Sequence, residues 1–227
     1  MNIAIIVAAG DGKRFGPACP KQFALLLGKP VIVQTLERFQ DCPDIDEIVL
    51  VLSNKGSAVF AEFRDQCSLE KLKQVVIGGQ TRAQSVKNGL GGVSVSGEDI
   101  IIVHDGARPL VTVEEISRTV HKAAKTGAAC LVAEINDTIK SVDGAYISRT
   151  IDRTKLRRAL TPQAFRSDVI RKAFEGIDLS ESITDECYLV EKLGYPISLV
   201  EGSGRNLKIT TPDDLAHAES LLKATKT

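Results

Sequence analysis

The stretch that decides the fold is Ile3-Ala4-Ile5-Ile6-Val7-Ala8-Ala9-Gly10-Asp11-Gly12-Lys13-Arg14-Phe15-Gly16-Pro17-Ala18-Cys19-Pro20-Lys21. It opens on an apolar run that does not alternate, the pattern of a strand covered on both faces. It continues into glycines whose backbone N–H groups can surround a phosphate, with Lys13, Arg14 and Lys21 as cations. Two familiar loops are excluded. A dinucleotide fingerprint needs glycine where Phe15 stands and must run straight into a helix, which Pro17 and Pro20 prevent. A Walker A loop needs Gly-Lys-Ser/Thr at a spacing that is missing here. An ordinary glycine-rich turn remains open on this motif alone.

Similar runs recur at Glu47–Leu52, Val75–Ile77, Ile100–Val103, Cys130–Ala133 and Ile197–Val200. Between them lie helical patterns such as Val113, Ile116, Val120 and Ala123, whose spacing makes one apolar stripe. Alternation of strand and helix predicts a three-layer α/β fold on a mostly parallel, Rossmann-like sheet with right-handed crossovers. The last helix should start at Thr211 as N-cap, with Pro212 in the first turn and Leu215, Ala218, Leu221 and Leu222 on its apolar face. The 227 residues are read as a single domain, residues 1–227. One segment breaks the pattern. Thr138 to Arg149 reads as two short strands around Asp143-Gly144, an inserted hairpin. It is either a surface flap or, the reading preferred here, a dimerisation arm at about residues 137–156 exchanged with a second subunit.

Composition narrows the function. Lys plus Arg and Asp plus Glu both total 29, and only 4% of residues are aromatic, so neither a basic field nor stacking platforms for nucleic acid exist. The five cysteines are scattered with no CxxC pair, which fits reduced thiols in a cytoplasmic protein without a zinc site. The first apolar run is too short to span a bilayer and has no basic segment before it, so no membrane association is expected.

Two further loops follow strands. Gly78-Gly79-Gln80-Thr81-Arg82-Ala83-Gln84-Ser85 offers close backbone approach to a flat ligand, with Ser85 placed to bond a base edge. His104-Asp105-Gly106-Ala107-Arg108-Pro109 puts a carboxylate at a strand's carboxyl end, suited to a magnesium ion bridging phosphates, and an arginine suited to an anion. The competing reading is an Asp105 that caps the next turn. His104 reads as a packed strand-end residue, since attack by a phosphate needs no base. Loops after successive strands gather along one sheet edge, which points to a nucleotidyl transfer site.

The ordered motifs AAGxGxR…PKQ, GGxxRxxSV, HDxARP, DTxK, an Arg before TPQxF, TDE and NxKITxPxDL, from Ala8 to Leu215, resemble the 2-C-methyl-D-erythritol 4-phosphate cytidylyltransferase family. The resemblance implies a nucleotide-diphospho-sugar transferase-like fold, a homodimer with exchanged arms, and transfer from CTP to methylerythritol phosphate. It also implies roles. Ala8, Ala9, Gly10, Gly78 and Ser85 would hold the cytidine, Gly12 and Gly79 would also bind CTP, and Asp105 and Gly106 would lie at the ribose and the Mg2+. Arg14 and Lys21 would contact the triphosphate, with Lys208 beside the reacting phosphates. Thr138 and Arg153 of the partner's arm would grip the acceptor, with Arg108 and Thr161 nearby. Three positions depart from the family's pattern: Gly106 in place of Ala, Glu134-Ile135 in place of Pro-Val, and Arg158 near a common aromatic position. The nearest rival is ribitol-5-phosphate cytidylyltransferase, disfavoured because Ala8-Ala9-Gly10 stands where those enzymes tend to show Ala-Gly-Gly. An NAD-dependent reductase and a non-catalytic nucleotide sensor are the alternatives from other classes.

Overall fold

The first run folds as expected into β1 (Asn2–Ala8), and its alternate side chains diverge into two separate cores. Ala4, Ile6 and Ala8 face one layer, while Ile3 and Ile5 face the other, as the two-residue repeat of a strand requires. In this computed structural model, residues 1–10, 12, 15, 20–64, 67–176 and 183–224 are described. Chain order continues through a two-stranded ribbon, β2 (Leu25–Leu26) and β3 (Lys29–Pro30), then α1 (Val31–Gln40), β4 (Glu47–Leu52), α2 (Asn54–Ala61), β5 (Leu72–Ile77), α3 (Arg82–Gly91) and β6 (Ile100–Asp105). After these come α4 (Val113–Thr126), β7 (Ala128–Ala133), β8 (Ile139–Asp143), β9 (Tyr146–Ile151), β10 (Arg158–Arg166), α5 (Ser167–Ala173), α6 (Glu186–Lys192), β11 (Ser198–Glu201) and α7 (Pro212–Ala224).

The main sheet has seven strands in the order β11-β7-β10-β6-β1-β4-β5. All pairings are parallel except those of β10, which runs antiparallel between β6 and β7. Side chains of α1, α2 and α4 cover one face, and those of α3, α5 and α6 cover the other, which makes the expected three layers. The strand missing from the sequence reading is β10. Pro162 lies within it, and proline reads against a central strand because it has no N–H for the ladder. The register with β7 shifts between Ala159 and Gln163, and that irregularity accommodates the proline.

The helix ends obey local chemistry. Thr112 and Glu115 form a capping box at the start of α4, and Gly127 closes that helix at φ 86°, a conformation open to glycine. Thr211 accepts from Asp214 N at 3.3 Å at the start of α7, as its sequence predicted. Ala218 is buried there, with Leu215 and Leu222 packed against Leu26, Val31 and Ile209.

The hairpin forms, with β8 and β9 paired antiparallel in a sheet of their own. Its turn lies one residue further along than Asp-Gly suggested. Asp143 pairs with Tyr146, so Gly144 and Ala145 are the central residues, and Gly144 takes φ 55°. Glycine first with a following residue at negative φ is the II′ arrangement, whose twist matches the strands. Cys42, Cys67, Cys130 and Cys187 are free thiols. No helix among the described residues is long and apolar enough to cross a membrane.

Candidate active site

At the carboxyl ends of β1, β4, β5 and β6 the loops enclose a cleft of about 440 Å³. Ligands of open α/β sheets bind at this edge. Nine of the residues picked out in the sequence line it: Ala8, Ala9 and Gly10; Gly78, Gly79 and Ser85; Lys21, Asp105 and Lys208.

The loop after β1 is held from below by Gln22, whose Nε2 donates to Ala8 O at 2.9 Å and to Gly10 O at 3.4 Å. Gln22 is buried in a single 3-10 turn, Lys21–Phe23, which also brings Lys21 to the cleft. Gly12 takes φ 66° against the backbone of Lys21. Arg14, like Lys13, lies outside the described residues.

The opposite wall is the turn before α3. Thr81 caps the helix by accepting from Gln84 N at 3.1 Å, and Ser85 Oγ accepts from Gly79 N at 3.1 Å while donating to Thr81 O at 2.9 Å. Glycine at position 78 answers to packing. A Cβ there would sit 2.5 Å from Ala9 Cβ and 2.8 Å from Ser85 Oγ, so the two walls of the cleft touch through this residue. A Cβ on Gly79 would strike Gln84 at 2.3 Å, so that glycine answers to α3.

Asp105 is the electrostatic centre. It is buried at the end of β6, yet three cations reach it: Arg82 Nε to Oδ1 at 3.1 Å, Arg108 Nε to Oδ2 at 3.2 Å and Lys208 Nζ to Oδ2 at 2.9 Å. Burial alone would raise its pKa, but Arg82, Lys208 and Arg108 outweigh that and hold it well below the usual carboxylate range. Arg108 also donates to Asn206 O at 2.8 Å, which ties the loop before α7 to the end of β6. Its guanidinium is thus engaged within the chain.

Behind Asp105 a neutral relay sets the strand end. Asp105 N donates to Thr161 Oγ1 at 3.1 Å, Thr161 Oγ1 lies 3.0 Å from His104 Nδ1, and His104 Nε2 lies 3.2 Å from Arg108 O. The bonds are consistent in one direction only: the hydroxyl donates to Nδ1 and Nε2–H donates to the carbonyl. Burial, the largest influence on His104, pushes its pKa down to about 3. Thr161 is buried, with its hydroxyl committed on both sides, and it does not line the cleft. Gly106 also lies behind the lining, where a Cβ would come within 2.8 Å of Ala8 Cβ and 2.7 Å of Ile32 Cδ1. Its lack of a side chain is therefore fitted to β1 and α1. Thr138 and Arg153 are exposed on the arm and do not line the cleft of their own chain; Arg153 Nη1 donates to Asn136 O.

Sequence reasoning gave no role to Arg82, Glu186 or Gln22. Arg82 and Glu186 stand inside the motifs GGxxRxxSV and TDE, but their pairing spans 104 residues and only the fold reveals it.

Over residues 2–224 the chain matches the family model described as IspD: 2-C-methyl-D-erythritol 4-phosphate cytidylyltransferase. The chain belongs to this family. A relative of that name from Syntrophus aciditrophicus (strain SB) is 42% identical over 225 residues, covering 97% of this chain and 95% of its own. Another, from Geobacillus kaustophilus (strain HTA426), is 40% identical over 220 residues, covering 96% of each. Among solved structures, 4-diphosphocytidyl-2C-methyl-D-erythritol synthase from Anaerococcus prevotii DSM 20548 superposes with a TM-score of 0.85 at 28% identity, covering 98% of this chain and 96% of that one. The Francisella tularensis cytidylyltransferase gives 0.80 at 31% identity, covering 96% and 98%. Membership in the IspD family makes the chain a cytidylyltransferase that acts in isoprenoid biosynthesis.

Proposed function

We propose that the edge cleft is where the chain carries out its family's reaction, transfer of the cytidylyl group of CTP to 2-C-methyl-D-erythritol 4-phosphate with release of pyrophosphate. The observation that carries this reading is the convergence of Lys21, Arg82, Asp105 and Lys208 with two glycine-bearing turns at one sheet edge. A cytosine and ribose fit between the Ala8–Gly10 loop and the Gly78–Ser85 turn, where Gly10 has open space in place of a side chain and admits a flat ligand. The triphosphate then points toward Lys21 and Lys208.

An acceptor phosphate oxygen attacks the α-phosphorus in line; the new P–O bond forms as the bond to the bridging oxygen breaks and pyrophosphate leaves. Such transfers ask little covalent work of the protein, so positioning and positive charge supply most of the rate. In this reading Lys21 and Arg14 meet the charge that develops on the non-bridging and leaving oxygens. Lys208, on a flexible stem, exchanges Asp105 for a phosphate oxygen. Asp105 is not stranded by that exchange, since Arg82 and Arg108 still hold it.

Asp105 also bears on magnesium. Among the described residues no cluster of three His, Cys, Asp or Glu side chains exists that could hold a metal by itself. Magnesium commonly takes one or two carboxylates with substrate phosphates and water, so Asp105 with a triphosphate fits that donor set once Lys208 has moved. Bound there, the ion would neutralise phosphate charge.

Assembly follows from the arm. Val142, Tyr146 and Ile147 are exposed apolar residues on a hairpin whose strands pair with no other sheet. A lone hairpin is marginal in water, and a second subunit is what would cover it. We read the chain as one domain, residues 1–227, whose arm delivers Thr138 and Arg153 to the acceptor phosphate in the partner's cleft. Pyrophosphate release from CTP, measured with methylerythritol phosphate and separately with ribitol 5-phosphate, tests the reading. Turnover should require methylerythritol phosphate, and faster turnover of ribitol 5-phosphate would overturn it.

A further inference from the structure

Gln22 stands between two residues with different duties. Lys21 before it lines the cleft as a cation, and Phe23 after it is buried in the core, edge-on to Phe63 with ring centroids 6.0 Å apart. The three form one 3-10 turn, closed by Phe23 N donating to Pro20 O at 2.8 Å. From this turn the Gln22 side chain reaches back under the loop after β1, across 14 residues to Ala8 O at 2.9 Å and across 12 to Gly10 O at 3.4 Å, the longer and weaker bond. Both partners are carbonyls, so the amide has one allowed orientation: Nε2, with its two hydrogens, must face them.

Filling space does not explain the amide. Gln22 is buried and its Oε1 has no hydrogen-bond partner among the described residues, which is costly in an interior. A methionine would fill a similar volume without that oxygen. What the amide alone supplies is its pair of N–H donors, and both go to the loop that forms the nucleoside wall in the reading above. Satisfying Ala8 O would by itself be a structural service; the neighbour of Gln22 makes the clamp bear on the reaction. One peptide unit and one side chain join the wall to Lys21, bypassing residues 11–20, the covalent path between them. A lysine ammonium is a point charge on a flexible stem, so its backbone must stand within reach of the phosphates once the base is seated.

We propose that Gln22 is a positioning residue of the transfer reaction: its amide clamps the Ala8–Gly10 loop to the Lys21 turn and so sets the distance between the bound nucleoside and the Lys21 ammonium. This rests on the reading of Lys21 as a cation at the transition state.

Gln22→Met keeps the bulk and removes both donors. With the melting temperature of each variant confirming a folded protein, kcat should fall about 10- to 100-fold, as expected for a misplaced catalytic group, while KM for methylerythritol phosphate changes little because Gln22 touches only the nucleoside side. The double variant with Lys21→Ala should be no slower than Lys21→Ala alone, since both changes act on one ammonium. Combined with Lys208→Ala, a change on a different loop, Gln22→Met should slow the enzyme further. Should Gln22→Met fail to fold, Gln22→Asn retains an amide, draws it back by one methylene and should show the same pattern. A slow Lys21→Ala enzyme beside a normal Gln22→Met enzyme, losses that multiply with Lys21→Ala, or no further loss with Lys208→Ala would each overturn the inference alone. Full kcat in Lys21→Ala would overturn it together with the reading of Lys21.

Discussion

His104 should make the protein lose stability in mild acid, by an amount that the structure sets. The imidazole is completely buried between Phe39, 4.8 Å away between ring centroids, and the Thr161 hydroxyl, and Asp105, Arg108 and Arg82 are the charged groups that act on it. Burial lowers its pKa most, Asp105 opposes this, and the two arginines add to it, giving about 3 in place of 6.5. Above pH 6.5 both folded and unfolded chains carry a neutral ring, and this contribution to stability is complete. Below 6.5 the unfolded chain takes up a proton that the folded chain refuses, so stability falls by about 1.4 kcal/mol per pH unit until the pH nears 3. Other groups titrate in this range, so the measurement is a difference. In His104→Gln the amide can still accept from Thr161 and donate to Arg108 O, but it has no proton to gain. Urea unfolding of both proteins at fixed concentration, from pH 7 to pH 4, should show the wild type losing about 3 kcal/mol more than the variant over that interval. Parallel profiles would mean that His104 is not held neutral by the fold, and the direction assigned to the Thr161 relay would fall with it.

Three other expectations follow from the site. Lys21→Ala and Arg14→Ala should each lower kcat about 10²- to 10³-fold, the usual cost of removing one preorganised donor, with little change in melting temperature; a near-normal kcat would remove that residue from the transition state. Gly78→Ala forces a Cβ to within 2.5 Å of Ala9 and should weaken CTP binding by about 1–3 kcal/mol, read by calorimetry, while Gly79→Val should act through Gln84 and the cap of α3, lowering the melting temperature as well. For the arm, the Arg153→Ala and Lys21→Ala proteins should be nearly inactive apart, yet recover about a quarter of wild-type activity after mixing and reassociation, because hybrid dimers carry one intact site. No recovery, with subunit exchange verified by mass spectrometry, would leave the hairpin as a flap over its own cleft.

Much of this protein was readable in one dimension because the signals were local. A β-branched run such as Ile3–Val7 specifies a doubly covered strand wherever it lies, Thr112 and Thr211 cap helices through atoms three residues away, and glycines after strands mark the sheet edge where ligands bind. The sequence therefore determined the layered fold, the family and most of the cleft lining. It did not reveal β10, since Pro162 argues against a central strand until the sheet's register shift makes room for it. Nor did it distinguish residues that line the cleft from residues that brace it. Gly106 and Arg108 share a motif with Asp105, and Thr161 opens the motif TPQxF, yet the fold turns Thr161 toward His104, packs Gly106 on Ala8 and Ile32, and spends Arg108 on Asp105 and Asn206. Those choices belong to the tertiary structure because each depends on partners brought together from distant parts of the chain. Arg82 meets Asp105 across 23 residues and Glu186 across 104, and no local spacing encodes either contact.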